Sequence, residues 1–144
     1  MTIRPRAVRA LRDVRERLRD AAAASHATAV VQREAADSAL SDSHTQLEAF
    51  LDDAHQALGA VTSVHDIDRI SDLAGGYRVA IADATARHQE AVAITEVTSG
   101  ALRERSRQLR TAEKLVELLD EHRARTDARA EQRGHDDMSS GKRR

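Results

Sequence analysis

The fold is decided by residues 77–119, YRVAIADATARHQEAVAITEVTSGALRERSRQLRTAEKLVELL. Alternating steps of four and three residues pass through thirteen positions of this stretch, and nine of the thirteen are apolar. A spacing of about 3.5 residues keeps one stripe facing a partner helix along its whole length. The stretch therefore predicts one strand of a coiled coil. Its seam positions are Tyr77, Ile81, Ala84, His88, Ala91, Thr95, Thr98, Leu102, Arg105, Leu109, Ala112, Val116 and Leu119.

A second, less regular helical face precedes this stretch. Residues 59–66 lie between the two faces and combine Gly, Thr, Ser and Asp, and either Ser63 or Asp66 can cap the following helix. The sequence thus predicts an all-α fold, a long two-helix antiparallel coiled-coil hairpin in which the numbers of paired residues sum to about 125. The first face has a polar interval at 25–32 and contains Leu11, Val14, Leu18 and Ala22, then Ala36, Leu40, Leu47, Phe50, Leu51, Ala54 and Leu58.

We expect the hairpin to span residues 1–134, with helices at about 6–58 and 67–133 and a turn at about 59–66. Gly75 and Gly76 together cost about 2 kcal/mol of helix propensity relative to Ala. A continuous helix and a break that makes 67–74 a separate short helix therefore both remain open. We expect Gly134 to end the second helix and residues 135–144 to form a disordered tail.

The distribution of charge is more informative than the net charge of −1. Residues 1–20 carry seven Arg and three acids, residues 21–102 four Arg and twelve acids, and residues 103–144 twelve bases and nine acids. A hairpin places both termini at one end, so these counts predict a basic pole that meets an acidic protein surface. A nucleic-acid-binding helix pair is disfavoured, because acids interleave the bases and aromatic residues for stacking are lacking.

No pattern indicates catalysis, a cofactor or a metal. No two of the seven histidines stand three or four residues apart, as ligands on one helix would. A Gly-x-Ser-x-Gly elbow and a phosphate-binding loop are both missing from the sequence. We therefore predict a non-enzymatic protein without a cofactor. We also predict a cytoplasmic location without direct membrane insertion, because no stretch reaches about 20 apolar residues and no signal peptide is recognisable.

Three motifs in the C-terminal third resemble the tails of the FliJ/SctO (YscO-like) family, the central-stalk proteins of flagellar and virulence type III secretion systems. They are Gln108-Leu109-Arg110-x-x-Glu113-Lys114-Leu115, Glu121-His122-Arg123 and Glu131-Gln132-Arg133-x-x-Asp136-Asp137-Met138. Two departures concern the end of the chain. Gly134 precedes the last triplet, and Asp137 stands where the family usually has Glu.

The resemblance implies a stalk protein that inserts its paired terminal helices into the hexameric secretion ATPase. Its other end would face the export gate, an FlhA/SctV-like protein, and export chaperones are further expected partners. The location implied is cytoplasmic, peripheral to the inner-membrane export apparatus. The alternative function is an unrelated coiled-coil scaffold or adaptor that associates through its own seam.

Two sets of residues are candidates for these contacts. The ATPase-binding set would lie at the basic pole, with its C-terminal arginines along one side of the second helix: Arg123, Arg125, Arg129 and Arg133, with Arg4, Arg6 and Arg9. The alternative is a solvated helical face on which Glu121 supports Arg125. The gate-binding set is apolar and near the turn, and its alternative role is the core of the hairpin tip: Leu47, Phe50, Leu51, Leu73, Tyr77 and Ile81.

Overall fold

The computed structural model describes residues 5–59 and 63–141, with side chains as far as His135. It contains two α-helices, α1 (Pro5–Leu58) and α2 (Val64–Gly141), which pack against each other. The first helix begins at a proline, whose fixed φ suits the first helical turn and whose missing N–H is not needed there. The predicted all-α antiparallel hairpin is confirmed.

The second helix begins at Val64, three residues before the expected Ile67, because Ser63 and Asp66 form a reciprocal cap. The Ser63 Oγ accepts from the Asp66 N–H at 3.3 Å, and the Asp66 Oδ2 accepts from the Ser63 N–H at 3.2 Å. The serine hydroxyl also donates to Asp66 Oδ2 at 2.8 Å. Such a cap satisfies N–H groups that have no partner within the helix.

The carboxylate of this cap predicts a dependence of stability on pH. Its hydrogen bonds from Ser63 hold the pKa of Asp66 below its ordinary value of 3.8. Because the folded-state pKa is the lower one, the stabilisation is complete above the unfolded-state value and is lost as the pH falls through the folded-state value. We expect Asp66→Asn to remove this part of the acid dependence of the thermal midpoint. Asp68→Asn, which changes a neighbouring carboxylate outside the cap, should retain it.

The predicted seam of α2 is present at every position. All thirteen residues from Tyr77 to Leu119 are buried or half-buried, and Thr95, Leu109 and Ala112 are the most deeply buried among them. Spacing of this kind fixes which face of a long helix turns towards its partner. The heptad pattern therefore gave the packed face of α2 residue by residue.

The seam of α1 differs from the expected face in its N-terminal third. Leu11, Val14 and Leu18 are exposed, at 41%, 51% and 38%, and were wrongly assigned to the seam. Leu51 and Leu58 are also exposed. Alternating steps of three and four instead pass through fourteen positions, of which Arg33 alone is exposed: Val8, Arg12, Arg15, Arg19, Ala22, His26, Ala29, Arg33, Ala36, Leu40, Ser43, Leu47, Phe50 and Ala54.

Contacts between the helices confirm the antiparallel pairing. Thr95 Oγ1 donates to the carbonyl oxygen of Ala29 at 3.3 Å, which pairs residues whose numbers sum to 124. His88 Nε2 lies 3.4 Å from Asp37 Oδ1, a pair that sums to 125. Both sums agree with the expected value of about 125.

The glycine pair at 75 and 76 does not interrupt α2, so residues 67–74 are the first turns of a continuous helix. The two glycines lower the helix propensity locally, but α2 has 78 residues and packs against α1 before and after the pair. Packing of this kind stabilises a helix more than local propensity does. The end expected at Gly134 also differs from the structure, in which the helix continues to Gly141. The backbone at 135–141 is thus helical where we expected a disordered tail.

Replacing both glycines by alanine should stabilise the hairpin. A Cβ at either position meets no heavy atom within 4 Å, and neither glycine has a positive φ. We expect Gly75→Ala/Gly76→Ala to raise the free energy of unfolding by about 2 kcal/mol, since each glycine costs about 1 kcal/mol relative to alanine. Urea denaturation measures the difference. Unchanged or lower stability would show that the local backbone needs glycine.

The chain divides into two compact units. Unit 1 comprises Met1–Ala22 and Ala101–Arg144 and therefore contains both ends of the chain. Unit 2 comprises Ala23–Gly100 and contains the turn. By sequence, unit 1 has nineteen Lys and Arg against twelve Asp and Glu, whereas unit 2 has four Arg against twelve acids. The two units thus have opposite net charge.

Candidate partner-binding surfaces

The tip of unit 2 carries an aromatic pair between the helices. The ring centroids of Phe50 and Tyr77 are 5.0 Å apart and the ring planes are tilted by 34°. Both side chains are half-buried. Offset and tilted arrangements of this kind are favoured by the ring quadrupoles and add to the stabilisation from burial. The pair ties α1 to α2 near the turn.

Beside this pair lies a shallow groove of about 330 Å³. Its lining is mainly apolar and comes from both helices: Gln46, Leu73, Gly76, Tyr77 and Ala80. Leu73 is half exposed to solvent there, so a partner can bury additional apolar area. Open apolar grooves on helical surfaces suit the apolar side chains of another protein.

The structure brings most of the predicted gate-binding residues to this tip. Leu47, Phe50, Tyr77 and Ile81 are half-buried within the hairpin, and Leu73 and Tyr77 line the groove. Leu51 is exposed but does not line the groove. The half-burial of Leu47, Phe50, Tyr77 and Ile81 is compatible with both alternatives, a tip core and a binding surface.

Unit 1 carries the predicted ATPase-binding arginines on an exposed part of α2. Every residue from 121 to 135 is exposed. Arg125 pairs with Glu121 one turn earlier, with 3.1 Å between Nη2 and Oε2. An exposed pair of this type contributes only a few tenths of a kcal/mol, so Arg125 can exchange its partner at little cost.

The four C-terminal arginines do not share one side of the helix. Arg125, Arg129 and Arg133 follow one another at steps of four and form a stripe. Arg123 stands two residues before Arg125, which places it about 200° away around a helix of 3.6 residues per turn. The expectation of a single side was therefore wrong for Arg123.

The N-terminal members of this set are divided. Arg6 and Arg9 are exposed on α1, and Arg9 Nη2 lies 2.8 Å from Asp120 Oδ1 of α2. This bridge ties the two helices together next to the C-terminal arginine stripe. Arg4 lies outside the described residues.

Three other arginines lie on the α1 side of the seam in unit 1, a placement that we did not predict. Arg12 donates two hydrogen bonds to Asp13 Oδ1, and hydrogen bonding to this carboxylate raises the pKa of Arg12 above its ordinary value. Arg15 donates to the side-chain oxygen of Gln108 on α2. Arg19 is half-buried beside Ala22. The sequence contained a signal for this placement. The alternating steps of three and four that describe the later seam of α1 lead from Ala29 back to Arg19, Arg15 and Arg12.

The middle of the hairpin contains a polar layer. His26 Nδ1 and Thr98 Oγ1 are 3.2 Å apart across the helices, next to the bond from Thr95 to Ala29. Polar residues at seam positions fix the register of coiled coils at some cost in stability. The residue numbers of both contacts sum to 124, in agreement with the antiparallel register.

Comparison with known proteins connects these surfaces to a family. The model of the family described as flagellar FliJ protein matches residues 6–142. The chain belongs to the FliJ family. Searches of curated proteins and of solved structures each found no match. Membership confirms the resemblance noted in the tail motifs. The chain is therefore a protein of the flagellar and type III export machinery, and the family is a non-catalytic one.

Within the described residues, no helix has the length and apolarity that crossing a membrane requires. The family model matches the chain from residue 6 to residue 142. The matched range therefore includes the exposed arginines at 123–133 and the residues that line the tip groove.

Proposed function

We propose that this chain is a non-enzymatic stalk that couples a hexameric secretion ATPase to the export gate of a type III protein export apparatus. The ATPase would bind the paired terminal helices, and the gate would bind the turn-proximal end. The observation that carries this proposal is that both chain ends belong to one basic unit, whereas the turn belongs to an acidic one.

The ATPase contact is supported by charge and exposure. Arg125, Arg129 and Arg133 form a stripe on a helical segment without a large apolar side chain in its exposed stretch at 121–135. Guanidinium groups make directional hydrogen bonds to carboxylates and carbonyl oxygens. Such contacts strengthen inside a ring, where the effective dielectric constant is below that of water. A basic helical end is therefore suited to an acid-lined pore.

The gate contact is supported by the groove at the tip. An FlhA/SctV-like protein would place apolar side chains against Leu73 and Tyr77, which line the groove. Phe50 would hold the Tyr77 ring in position through the contact between the two rings. We further propose a cytoplasmic location at the inner face of the export apparatus, with export chaperones as additional partners.

The experiment that tests the proposal measures ATP hydrolysis by the purified secretion ATPase of the same genome with increasing amounts of the chain. We expect stimulation that saturates and more hexameric ring by sedimentation velocity. The isolated cytoplasmic domain of the gate should bind at the other end without competing. A stable self-dimer with no affinity for the ATPase would support the scaffold alternative instead.

A further inference from the structure

Unit 1 exposes large apolar side chains that its seam leaves uncovered. Five of them are between 38% and 61% exposed: Leu11, Val14 and Leu18 of α1 with Leu115 and Leu118 of α2. The seam phase assigns the inward positions to Val8, Arg12, Arg15 and Arg19, so these aliphatic side chains lie beside the seam instead of within it. Large apolar groups that stay exposed together indicate an interaction surface.

The five side chains lie on one flank of the helix pair. Leu11 and Leu115 line the same groove together with Arg15, Gln108, Thr111 and Ala112, so both helices contribute to it. On α1 the steps from Leu11 to Val14 and Leu18 are three and four, and on α2 Leu118 follows Leu115 by three. Residues at these steps share a helical face. We call the set Leu11, Val14, Leu18, Leu115 and Leu118 the apolar strip.

The charges around the strip indicate the chemistry of what covers it. Arg15 lines the groove, and exposed cations stand on both helices next to the strip, Arg17 on α1 and Arg107 and Lys114 on α2. Two acids lie near the ends of the strip, and both have partners. Glu104 lies 4.0 Å from Arg107 and accepts from Gln108 at 3.0 Å, and Glu121 lies 3.1 Å from Arg125. A second copy of unit 1 would bring like charge against like charge. An acidic partner would find complementary charge.

We propose that the apolar strip binds an acidic amphipathic helix of a partner protein as a third helix against unit 1. Apolar side chains of that helix, at steps of three and four, would pack on the strip. Its Glu and Asp side chains would meet the arginines and the lysine on either side. The strip shares unit 1 with the arginine stripe at 125–133, but it consists of other residues, and the peptide-binding test below needs no ATPase.

The proposal is tested with a fluorescein-labelled synthetic helix of three heptads, with Leu at the a and d positions and Glu on the flanks. Fluorescence anisotropy with the full chain measures its dissociation constant. Two reference peptides are used, one with the same composition in scrambled order and one with Lys in place of Glu. We expect saturable binding of the acidic amphipathic peptide and binding at least about tenfold weaker for both references.

The strip variant is Leu11→Gln/Leu115→Gln, because both side chains line the groove and Gln retains helix propensity. Its matched control is Val79→Gln/Val97→Gln, two aliphatic residues of unit 2 that are 71% and 72% exposed. We expect the strip variant to bind the acidic peptide about tenfold or more weakly and the control variant to bind normally. Thermal midpoints of both variants should stay close to that of the parent.

Several results would overturn the proposal. Equal binding of all three peptides, or no binding of the acidic one, would remove the helix-docking role. Normal peptide binding by the strip variant would place the contact elsewhere. A fall in thermal midpoint confined to the strip variant would make the strip part of the hairpin core. A dimer in sedimentation equilibrium that the strip variant dissociates would assign the strip to a second copy of this chain.

Discussion

Reversing Arg123, Arg125, Arg129 and Arg133 to Glu should abolish stimulation of the secretion ATPase. Each reversal replaces an attraction to pore carboxylates and carbonyl oxygens by a repulsion, and the effect is strongest where water is excluded. All four side chains are exposed, so the fold does not depend on them. We expect helicity by circular dichroism to change by only a few per cent and binding to the gate domain to be unaffected. Rates of ATP hydrolysis measure the loss.

The matched control reverses the four arginines of unit 2, Arg33, Arg69, Arg78 and Arg87, all of which are exposed. It makes the same change in total charge and should leave stimulation intact. Arg125, Arg129 and Arg133 form the stripe, and Arg123 lies on another side of the helix. We therefore expect a triple reversal at 125, 129 and 133 to account for most of the loss and Arg123→Glu alone to contribute little. If the quadruple variant stimulates ATP hydrolysis as strongly as the parent chain, these arginines form a solvated helical face and do not contact the ATPase.

Truncating the aromatic pair should have the largest effect on gate binding. Phe50→Ala or Tyr77→Ala removes one ring of a pair with 5.0 Å between centroids, and Tyr77 also lines the tip groove. We expect gate binding to weaken by about tenfold or more. Because the rings are half-buried, the free energy of unfolding should fall by about 2 kcal/mol, less than for a fully buried aromatic residue.

Leu40→Ala is the control for this loss of stability. Leu40 is a half-buried seam residue of α1 that does not line the tip groove. Its truncation should lower the thermal midpoint by a similar amount without weakening gate binding in surface plasmon resonance. If Phe50→Ala and Tyr77→Ala behave like Leu40→Ala, the aromatic pair is a tip core and the gate binds elsewhere.

Several features could be predicted from the sequence because they depend on local pattern. The 3.5-residue phase from Tyr77 to Leu119 determined which face of α2 is packed, since a long helix repeats its geometry without reference to distant residues. Ser63 and Asp66 marked the start of α2 in the same local way. The tail motifs pointed to the family that the family model then matched over residues 6–142. The two proposed contact sets remain predictions.

The sequence alone was misleading where apolarity and phase disagree. Leu11, Val14 and Leu18 suggested a seam by their composition, but α1 is one continuous helix, and its later seam residues fix the phase at its beginning. Arg12, Arg15 and Arg19 therefore occupy the seam of unit 1, where their long aliphatic stems can pack while their charged ends reach Asp13, Gln108 and Asp20.

By itself, then, the sequence determined the helices, the bend, the packed face of α2 and the unequal distribution of charge. Only the tertiary structure decided the phase of α1 in unit 1, the continuity of α2 through Gly75 and Gly76, and the exposure of the apolar strip. The physical reason is that helix propensity and capping act over a few residues, and heptad spacing identifies a packed face only where the apolar residues keep one phase. The choice among competing faces depends on how two helices more than fifty residues long fit together along their whole contact.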